Sequence, residues 1–128
     1  MKHPHLFILA ALLFSQNLLA QDKISEKLRH DFAQSGGQEQ EMIVIMASQA
    51  DVSDAVNIKD WKARGEYVFR TLSSLAEATQ ANAVNICRAF GSEPHPLWIV
   101  NILSVKGSLA LAEALASLPE VREVIHIS

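Results

Sequence analysis

Apolar positions at Val68, Leu72, Leu75, Ala76, Ala83, Ile86 and Phe90, with Thr79 among them, recur in steps of three and four. This spacing predicts one helix of about six turns with a single apolar stripe. Gly91 suits the left-handed residue that closes such a helix. Upstream, Ile24, Leu28 and Phe32 recur every four residues after Ser25, which predicts a short capped helix. The stretch Gln34-Ser35-Gly36-Gly37-Gln38 breaks it. Five consecutive apolar residues at 42–46 then read as a strand covered on both faces. Residues 47–61 are weakly periodic, a long connection with one helical turn near Asp51. Pro94-His95-Pro96 forbids helix and opens an extended stretch. Residues 97–100 and 102–105 read as two strands meeting at Asn101, and Lys106-Gly107 ends the second. Ser108 caps a predicted helix over 109–118, stopped by Pro119. Residues 121–127 alternate with charge and form the last predicted strand.

After the first short helix the order is strand, long helix, strand, strand, helix, strand. That is the split βαβ, or ferredoxin-like, α+β plan: a four-stranded antiparallel sheet with two helices on one face. The other face of such a sheet is polar when it meets only water. Here Met42, Val44 and Met46 oppose Ile43 and Ile45, and both sets are apolar. Leu97 and Ile99 opposing Trp98 and Val100 repeat the pattern. Two helices cannot cover both sides. The excess predicts an apolar protein–protein surface on the open face, unless the N-terminal segment or the 47–61 connection folds over it.

Part of the apolar content has another origin. Of 128 residues 49% are hydrophobic, and residues 6–14 form an uninterrupted apolar run behind Lys2. With Ala20-Gln21 following, this is the layout of a secretory signal peptide over 1–20, and nine apolar residues are too few to span a bilayer. The mature domain over 21–128 is then expected to be exported, secreted or periplasmic, and free of the membrane. Without Lys2 the 11 Lys and Arg fall to 10 against 14 Asp and Glu, a balance of −4. An acidic chain with no basic cluster excludes nucleic acid as the expected partner. The length suits one domain and excludes a multidomain enzyme.

No residue set points to catalysis, a metal or a cofactor. His30, His95 and His126 lack neighbours at metal-ligand spacing, and a carrier of the Cys-x-x-Cys type needs two cysteines where the chain has one. Cys87, among Val84, Ile86 and Phe90, reads as a small buried residue, so no intrachain disulfide is available. Gly36-Gly37 lacks the remaining residues of a phosphate loop. Trp61 reads as an interface anchor, and Trp98 as an anchor or part of the core.

Several stretches together resemble the N-terminal propeptide of subtilisin-like serine proteases. They are residues 41–46 followed by Gln49-Ala50-Asp51-Val52, and Arg64-Gly65-Glu66-Tyr67-Val68 leading into Leu72. Ala76-Glu77 and Gln80 follow on the long helix, then Leu97-Trp98-Ile99-Val100-Asn101 and Leu118-Pro119-Glu120-Val121. The likeness spans most of residues 23–127 and is the sum of degenerate matches.

The resemblance implies a ferredoxin-like domain whose open sheet face packs on two helices of a protease. It also implies a C-terminal tail lying in the substrate cleft like a cleaved product, with roles in folding the protease and in inhibiting it. Carried onto this chain, docking falls to Trp98, Val100, Ile102, Ser104, Val124, Ile125, His126, Ile127 and Ser128. Residues 124–128 are then nearest the cleft. The sequence has no segment like those that carry the catalytic Asp, His and Ser of the proteases, and little tail follows the last strand. The expectation is a stand-alone relative acting in trans, or a remnant of a longer precursor. From a different class, the alternative is an exported ferredoxin-like module that dimerises through the same face and binds a small ligand.

Overall fold

The computed structural model describes residues 23–127, so the export segment read at 1–20 and the terminal Ser128 lie outside the described residues. Helix α1 (Glu26–Gln34) starts where the Ser25 hydroxyl accepts from the Leu28 N–H at 3.2 Å. Strand β1 (Gln40–Met46) follows, then a 3-10 turn (Ser53–Asn57) near Asp51, where the sequence predicts one helical turn. Helix α2 (Trp61–Ala89), strand β2 (His95–Leu97), strand β3 (Ile102–Gly107), helix α3 (Leu109–Ala116) and strand β4 (Val121–His126) complete the order. All strand pairs are antiparallel, in the order β2-β3-β1-β4. The fold is the ferredoxin-like α+β arrangement.

Three differences from the sequence reading have clear causes. Helix α2 has 29 residues and begins seven before Val68, because the Asp60 carboxylate accepts from the Ala63 N–H at 3.0 Å and caps a first turn that has no apolar periodicity. Strand β2 has only three residues, and residues 98–101 are a turn rather than strand. Leu97 pairs with Ile102, so four residues connect β2 to β3; an antiparallel hairpin cannot reverse at Asn101 alone. In β4 the alternation slips, because the register shifts between Ile45 and Met46. Val121 and Val124 therefore both face the core, where strict alternation places them on opposite sides.

One buried cluster holds the domain together. Met42, Val44, Met46, Leu103, Val105, Val121 and Val124 line one sheet face against Leu28 and Phe32 of α1, Ala83 and Cys87 of α2, and Leu111 and Leu115 of α3. The N-terminal helix thus joins the covering layer instead of folding over the open face. Gly107 sits under α3 because a Cβ there would run into Leu111. Helix α2 ends as expected at Gly91, with φ +77 and the Ser92 N–H on the Cys87 carbonyl at 2.9 Å.

Cys87 is fully buried, and burial pushes its thiol up to about 11. Ellman's reagent at pH 8 is expected to react with the folded chain at least ~100-fold more slowly than with the chain in urea, since only the thiolate attacks. The neutral thiol favours the fold, so its contribution is complete below about pH 8.5 and is lost as pH rises from there toward the folded value. Comparable labelling rates with and without urea would show that the α2 packing opens readily.

Candidate docking surface

The side chains of the uncovered sheet face follow from the register. One row runs His95, Ser104, Ile43, Ile125 from β2 to β4, and the next runs Leu97, Ile102, Ile45, Glu123. A third pairs Lys106 with Glu41. While their neighbours Met42, Val44 and Leu103 are 0% exposed, Ile43, Ile45, Ile102 and Ile125 remain partly exposed. The result is an apolar centre of β-branched residues framed by His95, Lys106, Glu41 and Glu123, the core-and-rim composition of a protein-binding patch.

Beyond Leu97 the turn leans toward α2, on the helix side of the sheet. Trp98, Ile99 and Val100 are 38%, 63% and 52% exposed, so none of the three is core. The Trp98 ring meets Phe69 of α2 edge-on, with centroids 5.0 Å apart. A helix of this length runs about 43 Å, roughly twice the span of the strands. Its buried residues begin only at Ala76, and Trp61 near its start is 79% exposed. Between the overhanging half of α2 and the turn lies a depression of about 450 Å³ lined by Trp61, Val68, Phe69, Leu72 and Trp98 among others. A second, of about 540 Å³, continues along α2 to Pro96.

The residues assigned to docking from the sequence do not all share this surface. Ile102, Ser104 and Ile125 are on the open face, and Trp98 and Val100 are in the turn. Val124 is a correction: it is 0% exposed, faces the helices, and cannot touch a partner. His126 is partly exposed but lies on the other side of the sheet from the isoleucine rows. It pairs with Met42 on the helix side, with its Nδ1 3.3 Å from Asp31 Oδ2 and accepting from Lys27 Nζ at 3.0 Å. Ile127 is partly exposed, its N–H on the Glu41 carbonyl at 3.4 Å, and Ser128 lies outside the described residues.

The outer edge of β4 is not free. Ile24 bridges to Val124 in parallel, the Ser25 N–H donates to the Val124 carbonyl at 2.9 Å, and the Val124 N–H donates to the Lys23 carbonyl at 2.9 Å. Lys23 Nζ also reaches the Leu118 carbonyl at 2.9 Å. The stretch proposed to enter a cleft is therefore paired with β1 up to His126 and held on its outer edge at Val124.

Sequence reading missed two contributors. Ile43 and Ile45 were legible as the face opposite Met42, Val44 and Met46, but only the register puts them at the centre of the patch. The polar pair Gln80 and Asn101, 4% and 3% exposed, lies behind the turn with its amides 2.8 Å apart. The only hint of it in the sequence is a glutamine on the buried stripe of a helix. Among the described residues no group of three or more His, Cys, Asp and Glu is placed to hold a metal ion, and no helix is long and apolar enough to cross a membrane. Comparison of the chain with known protein families, with characterised proteins and with solved structures finds no match.

Proposed function

We propose that this chain is an exported, propeptide-like domain that binds a subtilisin-like serine protease as an inhibitor, a folding assistant, or both. The observation that carries the reading is the uncovered sheet face. Ile43, Ile45, Ile102 and Ile125 stand side by side on it, while the three helices of the described residues pack on the other side. The sequence resemblance supplies the class of partner, and the ferredoxin-like order of elements agrees with what that resemblance implies. Residues 1–20 supply export.

The held β4 edge sharpens the mechanism. Docking proceeds through burial of the isoleucine rows and the adjoining turn, a surface that needs no rearrangement. Val124 and His126, assigned to the cleft by the resemblance, are engaged with the helix layer, so the sheet face carries the binding. Assistance of folding follows from the same contact: a preformed apolar face offers a template on which the partner's helices dock, stabilising its compact state by mass action.

The test uses purified residues 21–128 with secreted subtilisin-like proteases, including those encoded in the same genome. Slower peptide hydrolysis, or a higher yield of active protease on dilution from denaturant, is expected for at least one of them. No effect on any protease, together with a symmetric dimer formed through the isoleucine face, overturns the reading and favours the small-ligand module.

A further inference from the structure

Three exposed apolar side chains in a row make a poor surface turn unless something fixes them, and here the fixing groups are polar and buried. Asn101 has φ +48, the left-handed region that asparagine tolerates better than other non-glycine residues. Its side-chain amide donates to the Ser48 carbonyl at 2.7 Å and to Thr79 Oγ1 at 3.0 Å, while its Oδ1 accepts from Gln80 Nε2 at 2.8 Å. Gln80 Nε2 also approaches the Ile102 and Leu97 carbonyls, at 3.3 and 3.5 Å, so one amide reaches both ends of the turn. Thr79 Oγ1 in turn donates to the Leu75 carbonyl at 2.8 Å. The Asn101 carbonyl accepts from the Met46 N–H at 3.2 Å, tying the turn to β1 as well.

Burying two amides and a hydroxyl costs desolvation that an apolar pair avoids, and it is compensated only when the partners hold one geometry. Apolar contacts tolerate sliding; this set of directed bonds does not. We propose that Asn101, Gln80 and Thr79 are positioning residues that hold residues 98–100 in a single conformation, so that Trp98, Ile99 and Val100 form a preorganised recognition element beside the overhanging half of α2. This deepens the docking reading and rests on it. The flat isoleucine face contributes area without direction, whereas an aromatic side chain held at a fixed angle supplies the anchor that discriminates one partner surface from another.

The chain has two tryptophans, so a Trp61→Phe background leaves Trp98 as the sole reporter. In that background Asn101→Gly keeps the backbone conformation and deletes the bonds, and Gln80→Met keeps the volume and deletes them from the other side. Both variants are expected to unfold cooperatively, yet to lose more than half of the near-UV circular dichroism of Trp98. Its quenching by acrylamide should rise about twofold, as an aromatic residue released from fixed packing becomes mobile and accessible. Retention of both signals in both variants overturns the proposal and leaves the network a plain stabilising feature.

Should the variants not fold, backbone relaxation of the unmodified chain decides instead. Order parameters of Trp98, Ile99 and Val100 near about 0.85, as in the strands, support positioning, and values below about 0.6 overturn it. With a protease that the parent chain inhibits, both variants are expected to weaken inhibition at least tenfold at temperatures where they remain folded, a loss that lowered stability alone does not cause. Failure of the parent to bind any such protease removes the docking reading, while the Trp98 signals judge the network independently.

Discussion

Leu103→Ala is expected to lower the unfolding free energy by about 2–5 kcal/mol, the range for truncating a fully buried leucine in a core that relaxes incompletely. Leu103 is 0% exposed and sits in β3 between Val44 of β1 and Pro96 of β2, facing the helix layer. Its neighbours belong to the sheet and have little freedom to close a gap. The single cysteine rules out an intrachain disulfide that might compensate. Against a total stability of about 5–15 kcal/mol for a domain of this size, the loss is a large fraction. Thermal midpoints are expected to fall by roughly 10–30 °C. A urea titration checks it: the midpoint drops while the slope stays that of the parent. A loss under about 1 kcal/mol would mean that α3 settles into the space and that the core is less rigidly packed than its burial implies.

Ile43→Glu carries the largest expected effect on function and a small one on stability. Ile43 lies at the centre of the uncovered face, flanked by Ser104 and Ile125, and its side chain is partly exposed. Glutamate there loses strand propensity on a scale of about 1 kcal/mol, so the fold is retained. In a complex it places a charge in the desolvated middle of the interface, at a cost of about 2–4 kcal/mol, equivalent to a weakening of roughly 30- to 1,000-fold. Inhibition constants against a protease sensitive to the parent chain measure this. Equal inhibition by a folded Ile43→Glu variant would remove the sheet face as the docking surface. Val124→Ala is the useful contrast, since Val124 faces the helices: it should lower stability and leave the inhibition constant unchanged.

The elements that sequence reading located well have a local physical cause. The Ser25 and Ser108 caps, the Gly91 terminus and the five-residue apolar strand each depend on groups within a few residues of one another. The errors have non-local causes. The resemblance assigns residues 124–128 to docking as one stretch, whereas pairing with β1, some eighty residues earlier in the chain, turns Val124 to the helix side and Ile125 to the open face. The apolar pattern does not mark the first turns of α2, because a helix that extends beyond its sheet carries no apolar stripe there. Two strands meeting at Asn101 make too tight a β2–β3 connection, because the local sequence does not show the buried amide of Gln80 that shapes the loop around it.

Local pattern alone was sufficient for the order of strands and helices and for the surplus of apolar strand residues, because side-chain period and capping chemistry act over one or two turns of chain. It could not say which of those residues meet water. That depends on the register of β1 against β3 and β4, and on α1 joining the other helices on one side. These arrangements gather Ile43, Ile45, Ile102 and Ile125 into one surface and turn Val124 and His126 away from it. A strand residue changes face with a one-residue shift in pairing, so the docking surface exists only once distant segments have chosen their partners.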